Sequence, residues 1–206
     1  MEQHGWRGVL REVERDGVRC GAPVLLAGFV AGAGLAEVAA GPLGLASRTI
    51  CELVILLVLQ VAGPVLVVLL ALVQLGPVWL AHVEQQGRRA WRVAVPAAAI
   101  LAPLLLSLFL VAALVSGALF TPRADLLAEV AEVLSGLQLR DLVITWIRTS
   151  VFFAIVCAWC LSQCERGLLR QAPPGVIVSE LFSYGIVVIL LLKLIWLVTV
   201  DPFSLG

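Results

Sequence analysis

Five apolar stretches, each near or beyond the length of a bilayer-spanning helix, occupy most of this chain, and nothing between them is long enough to fold as a soluble domain. They run approximately over Ala22–Ala40, Leu53–Ala81, Val93–Phe120, Leu142–Leu161 and Val176–Val200. A hydrocarbon core takes about 20 apolar residues per helix. Lipid offers backbone N–H and C=O groups no partner outside their own segment, so such spans must be helical. A hydrophobic fraction of 61% agrees. The expected fold is all-α and integral to a membrane, with five transmembrane helices over residues 21–206.

Several functions are excluded early. The formal net charge is zero, whereas a nucleic-acid binder carries a basic face. No GxxxxGK[ST] phosphate loop occurs, so the chain does not hydrolyse ATP by that route. The two histidines, His4 and His82, are too few and too far apart for a histidine-rich metal site. Met1–Cys20 holds eight charged residues and no apolar core, the wrong order of parts for a cleavable signal peptide. Its apolar residues Trp6, Val9, Leu10 and Val13 keep the i, i+3, i+4, i+7 spacing of one helix face. Residues 1–20 are therefore expected to form an interfacial amphipathic helix with Trp6 at headgroup level; a solvated leader helix is the alternative.

Arginine placement sets the orientation. With the N-terminus inside and five crossings, Arg7, Arg11, Arg15, Arg19, Arg88, Arg89, Arg92, Arg166 and Arg170 lie inside, and Arg48, Arg123 and Arg140 outside. That is the sense the positive-inside rule requires, giving N-in, C-out. Glu37 and Gly41-Pro42 make the first span the weakest and leave a re-entrant form open. Losing that span would carry Arg88, Arg89, Arg92, Arg166 and Arg170 outside, so charge favours five.

Gly28, Gly32, Ala36 and Ala40 recur every four residues along the first span, a stripe of the kind that lets backbones approach closely in lipid; chance in an Ala/Gly-rich segment is the alternative. Gly63-Pro64, Gly76-Pro77, Pro96 and Pro103 predict kinked or broken helices. Asp125–Leu139 reads as a short amphipathic helix on the outer side.

Glu37, Glu52, Arg148, Glu180 and Lys193 sit in or at the margins of the spans. A charge at membrane depth costs about 2.5–3.5 kcal/mol on insertion scales, so such residues line cavities, form pairs or snorkel to the interface. Arg148 and Lys193 fall at similar depth towards the outside, and Glu37 is the candidate acidic partner for one of them. Cys157, Cys160 and Cys164 share a stripe at i, i+3, i+7. Zinc would need a fourth ligand and a less apolar setting, and cysteine otherwise behaves as a small buried hydrophobe.

Leu139-Arg140-Asp141-Leu142 followed by Ile147-Arg148-Thr149-Ser150-Val151-Phe152 resembles the "LRDL…IKSVVF" run of the MlaE/YrbE permease family, the membrane subunits of MCE-associated lipid ABC transporters. Gln163 falls where that family has the glutamine of its "YQG" turn, and Gly63-Pro64-Val65-Leu66 is similar to its "GPVL". Gly76, Val95-Pro96 and Ala102-Pro103-Leu104-Leu105 match further landmarks, in order, across roughly residues 55–200. The resemblance implies a five-helix permease with an N-terminal surface helix in the bacterial inner membrane. It would move phospholipid or a related lipid, with ATP and Mg held by a separate ATPase chain. It also implies a second permease copy, an MCE-domain ring at the outer face, and no catalytic residue or metal of this chain's own.

The departures bear on coupling. The family's "RE" before GPVL is Gln60-Val61-Ala62 here, its acidic residue after "AA" aligns with His82, and its "ATTR" is Ile177-Val178-Ser179-Glu180. The loop between helices two and three, which in the family forms the coupling helix docking on the ATPase, is shortened to Val83–Arg89. Within it Glu84, Gln85, Arg88 and Arg89 are the candidate coupling residues. The second reading is a degenerate, non-coupling subunit that pairs with an intact permease as a heterodimer. The third is a membrane enzyme, for which the cysteine stripe with His82 is the sole candidate site.

Overall fold

The computed structural model describes residues 2–40, 63–120 and 139–199. They form five helices: α1 (Glu2–Ala40), α2 (Gly63–Gln86), α3 (Arg89–Leu119), α4 (Leu139–Leu169) and α5 (Pro174–Thr199). No strand occurs among the described residues. All five are long and apolar enough to cross a membrane. Their exposed faces carry large apolar residues in bulk; α5 alone shows Ile186, Val187, Leu190, Leu191, Leu194 and Ile195. Water-soluble surfaces do not sustain such patches, so the chain is a multi-pass membrane protein. Arg48, Glu52, Arg123 and nearly all of the Asp125–Leu139 segment lie outside the described residues.

α1 departs from the expected boundary near residue 20. Helix runs unbroken from Glu2 to Ala40, with Pro23 inside it. The reason is a continuous buried stripe: Val9, Val13, Asp16, Cys20, Val24, Gly28, Gly32 and Ala36 all turn inward at spacings of three or four. The buried residues of the first 20 and the small-residue stripe beyond them lie on one face of one helix. Within the first segment Val9 and Val13 are buried, whereas Trp6 and Leu10 are exposed. At about 1.5 Å per residue, 39 residues exceed the thickness of a hydrocarbon core, so part of α1 must project beyond it.

The prolines do not break the helices either. Pro64 occupies the first turn of α2, where its missing N–H is no loss. α2 continues through Pro77, and α3 through Pro96 and Pro103. Hydroxyl groups bond back to the preceding turn: Ser107 Oγ donates to Pro103 O (2.8 Å), Thr149 Oγ1 to Thr145 O (2.7 Å) and Ser162 Oγ to Trp159 O (2.7 Å). Each hydroxyl is thereby satisfied without water.

The chain divides into two compact units. The first comprises Met1–Gly17, Val68–Leu101 and Ser150–Gly206. Its core is built on Trp79, Leu72, Leu75, Phe153, Leu161, Ile177 and Leu181, with the Trp79 and Phe153 rings 6.0 Å apart. The second comprises Val18–Val67 and Ala102–Thr149. There Gly28 and Gly32 let α1 reach the α3 backbone: a Cβ on Gly28 would lie 2.5 Å from Phe109 O, and one on Gly32 would overlap Ala113 O. Gly63 and Pro64 are buried at the start of α2.

Candidate functional site

Three chain segments meet in the first unit: the opening turns of α1, the α2–α3 connection and the α4–α5 connection. Both connections are tight. α2 ends at Gln86 with Gly87 left-handed (φ 54°), and the Gly87 N–H donates to Val83 O at 2.9 Å. This is the single-bond left-handed C-cap that glycine makes without a Cβ penalty. Ala90 N–H donates to Gly87 O (3.1 Å) and α3 is under way by Arg89. Two residues therefore suffice for the reversal.

α4 closes with a Schellman pair, Ala172 N–H to Gly167 O and Gln171 N–H to Leu168 O, with Gln171 left-handed at φ 54°. α5 then starts at Pro174, with Pro173 O accepting from the Val176 and Ile177 N–H groups. Gly167 is required by its neighbour, since a Cβ there would lie 2.7 Å from Ile177. The two hairpins are tied together where the Trp91 indole N–H donates to Glu165 Oε1 at 3.0 Å.

One polar contact set joins α1 to α2. His82 Nδ1 lies 3.3 Å from Glu12 Oε1, and Arg15 Nη2 lies 3.4 Å from His82 Nε2. A guanidinium only donates, so Nε2 accepts and the Nδ1–H donates to Glu12. Asp16 is buried one turn beyond Glu12. By sequence alone Glu12 and Arg15 are only the polar remainder of an amphipathic helix. The signal that could have found them is Asp16, a carboxylate in register with Val9, Val13 and Cys20.

Beside this set, a cleft of about 490 Å³ opens along α1 and α3. Trp6 and Val9 come from α1, Gln86 from the end of α2, and Arg89, Arg92, Val93 and Pro96 from α3. The four α3 residues keep an i, i+3, i+4, i+7 spacing and so share one face. Arg89 and Arg92 have no ion pair among the described residues.

The expected coupling residues are therefore distributed. Glu84 and Gln85 are exposed in the last turn of α2, Arg88 is exposed in the turn itself, and Arg89 opens α3 at the cleft. Glu37 is exposed, one position off the buried stripe of α1, and makes no ion pair among the described residues. It is not the acidic partner expected for Arg148 or Lys193. Arg148 is buried beside Thr145 and Thr149 in the second unit, and both Arg148 and Lys193 are engaged in polar or electrostatic interactions. Glu180 is exposed on α5. Cys157, Cys160 and Cys164 are wholly buried free thiols. No group of His, Cys, Asp or Glu among the described residues has the geometry to hold a metal.

Comparisons with protein-family models, with curated proteins and with solved structures return no match.

Proposed function

We propose that this chain is a membrane subunit of a bacterial MCE-type lipid transporter, resident in the inner membrane and oriented N-in, C-out. The observation that carries the reading is positional. The family-like landmarks fall in order on the helices: Gly63-Pro64 at the start of α2, Val95-Pro96 and Ala102-Pro103 within α3, and Leu139–Leu142 with Ile147–Phe152 along α4. Basic residues at both tight turns and on the opening turns of α1 support a cytoplasmic location for that end.

The α2–α3 turn favours the second form of this reading. A two-residue reversal leaves no separate helix between α2 and α3 to dock on an ATPase. The subunit we propose contributes shape and lipid contact and pairs with an intact permease, which couples to ATP in its place. Purifying the tagged protein from its native membrane in mild detergent tests this. The expected companions are an MCE-domain protein, an ABC ATPase and a second permease chain. Recovery of the chain alone, under conditions that keep other ABC complexes whole, contradicts the proposal.

A further inference from the structure

We infer that the cleft between α1 and the first turns of α3 is a binding site for the headgroup of an anionic phospholipid. The inference requires a bilayer around the chain but not the transporter assignment. Its polar lining is Gln86, Arg89 and Arg92, and its apolar lining is Trp6, Val9, Val93 and Pro96. That is the division a lipid needs: phosphate oxygens against guanidinium donors, and glycerol and upper acyl carbons against indole and aliphatic surface. Arginine offers planar pairs of N–H donors that match phosphate oxygens. The N-terminus of α3, which begins at Arg89, adds the partial positive charge of a helix start.

The surroundings favour an anion over a carboxylate-bearing partner within the chain. Among the described residues no carboxylate lines the cleft, and Glu12, the α1 carboxylate one turn beyond Val9, is engaged with His82. The cleft also lies where a headgroup would. Tryptophan favours the membrane interface, and Trp6 is exposed at the cleft mouth. Val93 and Pro96 lie one to two turns further along α3, where the apolar stretch of that helix begins. Basic pockets between helices on the cytoplasmic side are a known mode of anionic lipid capture.

The test is native mass spectrometry of the full-length protein in detergent, titrated with phosphatidylglycerol and with phosphatidylcholine of the same acyl chains. The two arginines are expected to give phosphatidylglycerol about a thirty-fold advantage. R89Q/R92Q is expected to lower phosphatidylglycerol binding to the phosphatidylcholine level. R88Q/R170Q removes the same charge away from the cleft and is expected to keep the preference. Should R89Q/R92Q not survive purification, R92Q alone carries the test, with a loss of about five-fold. The inference is overturned by no preference in the native chain, by a preference that survives R89Q/R92Q, or by equal loss in R88Q/R170Q, which would mean bulk charge alone. Excess sodium phosphate is expected not to displace the lipid; displacement would assign the cleft to a soluble phosphate and overturn the lipid.

Discussion

Gly32→Val is expected to force α1 away from α3 and to destabilise the protein by about 3 kcal/mol or more, at or above the upper end of ordinary overpacking costs. A Cβ on Gly32 would overlap the Ala113 carbonyl oxygen and Ser116 Oγ, and would lie 2.7 Å from the Ala113 carbonyl carbon. Two of those three atoms are backbone, so a rotamer change cannot make room; the helices must separate. In lipid this is severe, because close van der Waals packing is the main force holding helices together. The melting temperature should fall by about 6–12 °C, at roughly 2–4 °C per kcal/mol for a chain of this size. Gly34→Ala is the matched control. Gly34 is exposed with open space around its would-be Cβ, so its alanine variant should melt at or slightly above the native temperature. An unchanged melting temperature for Gly32→Val would show that α1 and α3 do not meet as described.

Trp79→Ala is expected to cost about 3–5 kcal/mol, the range for deleting a large buried aromatic. Trp79 is 2% exposed and its ring packs at 48° against the fully buried Phe153. Transfer to lipid is no penalty for an indole released by helix separation, so most of the loss is dispersion contact around the cavity left behind. Trp79→Phe keeps a ring against Phe153 and should recover more than half of the loss. Thermal melts of the three proteins in one detergent check both statements, and equal melts for Trp79→Ala and the native chain would refute the packing.

Much of this architecture was legible in the residues because lipid simplifies the problem. An apolar run of the right length has one available secondary structure, so α3 and α5 lie close to their apolar stretches, whereas α4 continues past Leu161 to Leu169. The small-residue stripe was visible in the spacing, but chance in an Ala/Gly-rich segment had equal sense until the α3 backbone at Phe109 and Ala113 was placed against Gly28 and Gly32. The continuity of α1 was harder to see. Residues 1–20 look like a separate element because their charge density is far higher than that of residues 21–40. Only the inward register of Val9, Val13, Asp16 and Cys20 with Val24 and Gly28 joins the two halves.

The site was less legible. A small cleft depends on which faces of α1 and α3 meet, and no spacing within either helix states that. Arg92, Val93 and Pro96 do keep helical spacing with Arg89, yet such a face has equal sense as a solvated rim until Trp6 and Val9 are placed opposite it. The pairing of Glu37 with an intramembrane cation failed for a simpler reason. Similar depth says nothing of rotation about the helix axis, and Glu37 points away from the face that packs.

The most direct test of the central claim, a five-span chain with both tight turns and the start of α1 on the cytoplasmic side, is single-cysteine labelling with a membrane-impermeant maleimide. Gly8→Cys, Arg88→Cys and Gly175→Cys report the opening of α1 and the two turns, and a Cβ at Gly8 or Gly175 meets nothing within 4 Å. Phe120→Cys reports the far end of α3, where the residue is exposed. The unmutated chain supplies the background of its own cysteines. The first three are expected to react only after permeabilisation, and Phe120→Cys to react in intact cells. Division of the first three between the two sides of the membrane, or labelling of all four on one side, would contradict it.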